Sequence, residues 1–328
     1  MQVQSVKLRD PDLSDNPINA EHTELGIPPI EEAVLHPGDH PILRMAMWLA
    51  VFMLLAAMGY LAVRLFSENG VSGGEQLIAE TLQSKIFWSA VAVGLLAQVI
   101  DGALGMAYGI TSTSFLLATG VSPAVASASV HIAEVFTTGV SGISHVKLGN
   151  VNKNLFLRLL IPGITGAVVG ALVLSSIDGK LLKPYISVYL LLMGVYIVSK
   201  VFRKIQAAKH EPRHVAKLAL FGGFVDSVGG GGWGPVVTTT LVGSGHNPRA
   251  TIGTVNFAEF FLTFASAIAF SILVGDGPWP IVAGLVFGGL FAAPLAAYLC
   301  KKLHARTLLM MVGVLISVVS IFNLYKSF

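Results

Sequence analysis

Residues Val225–Pro235 read VDSVGGGGWGP. One aspartate and five glycines stand here inside an otherwise apolar chain. Glycine weakens a helix, and a carboxylate in lipid is costly. The chain of 328 residues is 54% hydrophobic and 12% charged, whereas a soluble domain carries about 25% charge. Apolar runs long enough to cross a bilayer recur along it. Short alternating strands, the mark of a closed barrel, do not. The sequence predicts an all-α polytopic membrane protein.

Single spans are predicted at 43–66, 123–145, 155–176, 184–203, 249–274, 279–299 and 307–325. Two longer apolar stretches, 86–119 and 215–244, exceed one span: a 30-residue helix is about 45 Å long. Each is broken in the middle, by DGALGMAYG (Asp101–Gly109) and by DSVGGGGWG (Asp226–Gly234).

The two breaks are copies. A shift of 125 positions lays Asp101 on Asp226, Gly105 on Gly230, Tyr108 on Trp233 and Gly109 on Gly234 without a gap. The match runs on through Thr113 and Thr238, Pro123 and Pro248, Glu134 and Glu259, and Gly163 and Gly288. The expected organisation is a polar acidic tail over 1–41, one extra transmembrane helix over 42–66 and a first repeat over 85–203. A basic linker over 204–214 and a second repeat over 215–328 follow. The stretch 67–85 reads as a polar connection.

Loop charge sets the orientation. If each broken stretch enters and leaves on one side, most of the 21 Lys and Arg residues fall together, as the positive-inside rule requires. The repeats then have inverted topology, each with a broken hairpin, re-entrant or made of two short spans, and three transmembrane helices. The N-terminus and the central basic loop are expected to be cytoplasmic, in the cell membrane. That loop is a topology signal, and no nucleic acid is expected. His246 and Arg249 mark topology in the same way.

Inverted repeats with interrupted helices place a binding site near the midplane in many transporters. A glycine-rich turn lets the backbone approach a ligand, and the N–H groups opening the next helix favour an anion. The expected substrate-binding residues are Gly105, Gly109, Thr111 and Thr113 in the first copy. Gly230, Gly231, Gly232, Gly234, Thr238, Thr239 and Asn256 are their counterparts in the second. Close helix packing is the other reading of the glycines; four in a row, Gly229–Gly232, favour an unwound tip. A side chain at Gly231 is expected to block the ligand and leave the helices intact.

Asp101 and Asp226 precede the tips. Two readings stand: caps for the turn amides, or protonatable gates. Glu134 and Glu259 are intramembrane carboxylates, functional candidates by default, with a buried structural pair as the alternative. His131, three residues before Glu134 and on its helical face, could relay a proton; Asn256 holds the matching place. These five residues, Asp101, Asp226, His131, Glu134 and Glu259, are the expected coupling or gating set. A metal held by His131 and Glu134 alone is not expected, because a site needs more ligands. Tyr108, Trp233 and Phe260 read as packing residues.

The lone Cys300 excludes an internal disulfide framework. No P-loop pattern is present and no GxSxG stands on a suitable turn, so neither an enzyme nor an ATP-driven pump is expected, and no cofactor is called for.

GLLAQVIDGALGMAYG with GVSPAVASASVHIAEVFTT, and FGGFVDSVGGGGWGPVVTTTLVGSGHNPRATIGTVNFAEF, resemble the sulfite exporter (TauE/SafE) family of membrane transporters. The resemblance covers Ser84 to the C-terminus. It implies a proton- or ion-linked secondary carrier of sulfite, sulfonates or other small organic or sulfur-containing anions. A passive anion channel is the alternative. A homo-oligomer is left open.

Overall fold

A computed structural model of the chain describes residues 40–67, 70–104, 106–200, 202, 214–244, 246, 248–275, 278–302 and 305–326. The predicted tail, apart from its last two residues, the predicted linker, apart from its last, and Gly105 lie outside the described residues.

The described residues are helical and contain no strand. Helix α1 spans Pro41–Ser67. Proline suits a helix start because its missing N–H has no helical partner there, and His40 Nδ1 accepts the next backbone N–H, from Ile42, at 3.2 Å. Most of α1 is exposed, including Met45, Trp48, Phe52 and Leu55. A surface apolar on all sides is what lipid accepts and water does not.

Helix α2 spans Gly70–Gln83, so most of the polar connection expected over 67–85 is helical. Its Glu75 and Glu80 are exposed while Gly74 and Thr81 are buried. One helical face can thus be polar without the segment losing its helix. Ser84 separates α2 from α3 (Lys85–Leu104), and the two are bent by 70°. The Trp88 indole N–H donates to Leu82 O at 2.8 Å across the bend.

The chain continues as α4 (Tyr108–Ala118), α5 (Pro123–Lys147), α6 (Lys153–Ser176) and α7 (Gly179–Lys200). Helix α8 (Val215–Gly229) ends at the glycine run; a π-helical turn, Gly234–Thr238, then leads into the short α9 (Thr239–Gly243). Helices α10 (Pro248–Leu273), α11 (Trp279–Lys302) and α12 (Ala305–Tyr325) complete the fold. Helices therefore stand at every predicted single span. Among the described residues, α1, α6, α7 and α10 are long and apolar enough to cross a membrane, as is the bent α2–α3 pair taken together. Helix α5 is as long but more polar. The apolar parts of α11 and α12 are shorter, Trp279–Ala292 and Gly313–Tyr325.

Both long apolar stretches break where predicted. The arms after the breaks, 11 residues in α4 and 5 in each piece of the second, are about 16 Å long, half a bilayer core.

Packing is reciprocal between the two parts of the chain. Helix α3 lies against α11, where Gly94 faces Leu285 O, Gly284 faces Phe87 O and Gly288 faces Val91 O. Helix α8 lies against α6, where Gly166 faces Leu220 O, Gly170 faces Phe224 O and Gly223 faces Gly163 O. Glycine permits these crossings because backbone meets backbone with no room for a Cβ. Gly223→Ala is accordingly expected to cost about 1–3 kcal/mol by overpacking. Gly59→Ala, which meets nothing within 4 Å, is expected to be neutral or to stabilise by up to about 1 kcal/mol. Thermal unfolding of the two purified variants compares them directly.

Two apolar clusters seat the breaks. One holds Tyr108 and Ile110 with residues of α3, α5, α7 and α12; the other holds Trp233 and Val237 with residues of α5, α6, α8 and α10.

Candidate functional site

The second break is unwound at Gly230–Gly232. Gly230 (φ +66°) and Gly231 (φ +134°) adopt backbone conformations that side chains disfavour. Asp226 holds the turn: its Oδ1 accepts the Gly232 N–H at 2.8 Å and the Trp233 N–H at 2.9 Å, and its own carbonyl accepts from Gly231 N–H at 2.8 Å. In the first break Ala107 takes a left-handed conformation (φ +90°) with no glycine at that position. The Tyr108 backbone N–H lies near the Asp101 carboxylate, the position that Trp233 N–H takes beside Asp226 under the 125-residue shift. Both aspartates are buried.

The two tips touch. A Cβ on Gly231 would run into Gly109 C and Ile110 N. A Cβ on Gly109 would lie 2.5 Å from Gly231 Cα, 3.0 Å from Gly230 O and 2.9 Å from Glu134 Oε1. The Thr113 hydroxyl donates to Gly230 O, and the Tyr189 hydroxyl donates to Gly231 O at 3.2 Å. A side chain at Gly231 would therefore push the tips apart as well as obstruct a ligand, so the expectation that the helices would stay intact does not hold.

Helix α5 presents His131 and Glu134 to this contact. His131 Nδ1 lies 2.8 Å from Ser127 O. A carbonyl only accepts, so Nδ1 carries a proton. His131 Nε2 faces Asp226 Oδ2 at 3.1 Å. One ligand atom from each of His131, Glu134 and Asp226 lies within 4.8 Å of the others. Glu134 Oε2 is buried with no hydrogen-bond partner. Asp101 and Glu259 join the same electrostatic neighbourhood. Thr138 donates to Glu134 O at 2.5 Å and Thr263 to Glu259 O at 2.8 Å, at matching positions.

The expected hydroxyl donors are buried. Thr111, Ser112, Ser114 and Thr238 have hydroxyls without partners, as does the Asn256 side-chain oxygen. Thr239 is committed instead, donating to Pro235 O and lying 3.2 Å from the Tyr196 hydroxyl. Gly234 is buried and opens the π-helical turn. Trp233 and Tyr108 are anchored as packing residues, with bonds to Val255 O at 3.0 Å and Leu285 O at 3.1 Å; Phe260 is fully buried.

Tyr189 was not foreseen as part of this site. The visible signal was a phenol within an apolar span. Ser127 and Ser227 are further members: the Ser127 hydroxyl donates to Ser227 O at 2.7 Å, and Ser227 meets Ser266 at 2.9 Å.

Residues 90–323 match the sequence pattern of the family described as "Sulfite exporter TauE/SafE". The chain is 48% identical over 230 residues to "Probable membrane transporter protein YtnM" of Bacillus subtilis (strain 168), a match covering 67% of this chain and 77% of that protein. "Probable membrane transporter protein YunE" of the same organism is 21% identical over 264 residues, covering 72% of this chain and 96% of that protein. No solved structure matches.

Proposed function

Because this chain belongs to the sulfite exporter TauE/SafE family of membrane transporters, we propose that it is a secondary transporter of a small sulfur-containing or organic oxyanion, coupled to a proton or another ion. The tip-to-tip contact of Gly109 and Gly231, with unpartnered hydroxyls buried nearby, is the observation that carries this reading. Neutral O–H donors hold an oxyanion without trapping it, and the tips must separate to let it pass. The residues proposed to bind it are Gly109, Thr111 and Thr113 from the first break, with Gly105 by position. From the second they are Gly230, Gly231, Gly232, Gly234, Thr238, Thr239 and Asn256. Asp101, Asp226, His131, Glu134 and Glu259 form the proposed coupling set.

The reciprocal α3–α11 and α8–α6 crossings support two repeats related by a two-fold axis in the membrane plane; the loop charges favour insertion in the cytoplasmic membrane with the N-terminus inside.

A carrier saturates and exchanges faster when substrate is present on the far side; a passive anion channel does neither. Sulfite and sulfoacetate counterflow in proteoliposomes separates them. Glu134→Gln and Glu259→Gln keep size and lose titration. Each is expected to lower pH-gradient-driven uptake by about tenfold or more while leaving counterflow and the unfolding temperature near wild type. Unchanged gradient dependence in both variants would remove the two glutamates from coupling.

A further inference from the structure

Apart from the Tyr108 phenol, the ionisable side chains buried among the described residues are Asp101, His131, Glu134, Asp226 and Glu259; no lysine or arginine among the described residues is buried with them. A cluster of carboxylates in a low-dielectric interior is balanced either by protons or by a positive centre. His131 and Asp226 point at where one would sit. With Nδ1 donating to Ser127 O, Nε2 faces Asp226 Oδ2 3.1 Å away, a distance that a proton or a metal cation between the two atoms would account for. A proton would serve these two groups and leave Glu134 Oε2 buried without a partner. A metal ion would serve all three.

We propose that His131 Nε2, an Asp226 oxygen and a Glu134 oxygen form a binding site for one divalent transition-metal cation. The 3.1 Å separation suits neighbouring ligands around a metal with bonds of about 2.0–2.2 Å. The Glu134 oxygen lies within 4.8 Å of both partners and closes on the ion by a shift of about 1.5 Å to reach ligand spacing. The outer contacts are those that metal sites use to fix their ligands: a backbone carbonyl on the far nitrogen of the imidazole, and N–H donors on the far oxygen of the carboxylate. Ser127 O supplies the first, and Gly232 and Trp233 supply the second. One imidazole with two carboxylates favours zinc, cobalt, nickel or manganese over sodium or potassium. Three protein ligands leave a coordination position open, as in sites where the metal meets a substrate or water. The ligands come from α5 and α8, so the ion would join the two parts of the chain beside the tip contact. This site stands whether or not the transported anion is the one proposed above.

The full chain, purified in detergent and stripped with a chelator, is dialysed against cobalt(II) and against zinc(II). The expected result is about one metal per chain, visible d–d absorption for cobalt, and a raised unfolding temperature in its presence. His131→Asn, which places there the residue found at position 256, and Glu134→Gln are each expected to weaken metal binding by about tenfold or more. Glu75→Gln, an exposed acid on α2, is expected to bind as wild type. Glu134→Gln decides the matter if His131→Asn does not fold, because it removes a ligand with no other hydrogen bond to its free oxygen. Substoichiometric binding by the wild type, or undiminished affinity in Glu134→Gln, would overturn the proposal and leave a shared proton between His131 and Asp226.

Discussion

Gly231→Ala is expected to destabilise the protein by on the order of 3 kcal/mol or more and to abolish transport. Two costs combine: a side chain at φ +134° is strained, and its Cβ meets the backbone of Gly109 and Ile110, which cannot rotate away as a side chain would. Gly120 separates the two costs. It also has a positive φ, +97°, but a Cβ there meets nothing within 4 Å. Gly120→Ala is expected to lose only about 1 kcal/mol, with normal transport. Denaturant unfolding of both variants in detergent reads the difference. Equal losses would mean that the contact between tips contributes nothing at Gly231.

Asp226→Ala is expected to cost about 3–5 kcal/mol, the usual penalty for removing one partner of a buried pair. It strands the Gly232 and Trp233 amides and leaves His131 Nε2 facing a void. Asp226→Asn is expected to be much milder. Its oxygen can still accept both amides, and its NH2 can donate to a neutral imidazole. Asp101→Ala, where the Tyr108 N–H lies near the carboxylate, is expected to cost about 1–2 kcal/mol. Thermal unfolding midpoints rank the three, and an Asp101→Ala loss equal to that of Asp226→Ala would contradict the unequal roles of the two caps.

Much of the helical layout was legible in the sequence. Span length and proline punctuation located α5 and α10, which start at Pro123 and Pro248. The bonds of Asp226 to the Gly232 and Trp233 amides match one of the two readings its position allowed, because an aspartate before a glycine turn has nearby amides to satisfy. Internal repetition reveals which residues are equivalent, not which are adjacent. The tip contact, the Tyr189 bond to Gly231 and the 95-residue separation between His131 and Asp226 depend on tertiary placement that no local pattern encodes. Helix α2 was missed for a different reason. Its glycines and glutamates argue against a span, and a helix need not be a span.

The crossings of α3 with α11 and of α8 with α6 have a consequence for biosynthesis. Helix α3 leaves the ribosome early, but α11 is made nearly last, so Gly94 and its neighbours must wait for a surface that does not yet exist. His131 and Glu134 likewise enter the bilayer before Asp226 has been translated. Until then their polar atoms need lipid headgroups, water or an insertion factor as temporary company. The protein therefore cannot mature half by half, as chains of independent domains do. A truncation after α7 should be recognised by cellular quality control as an orphan, however well each of its helices inserts.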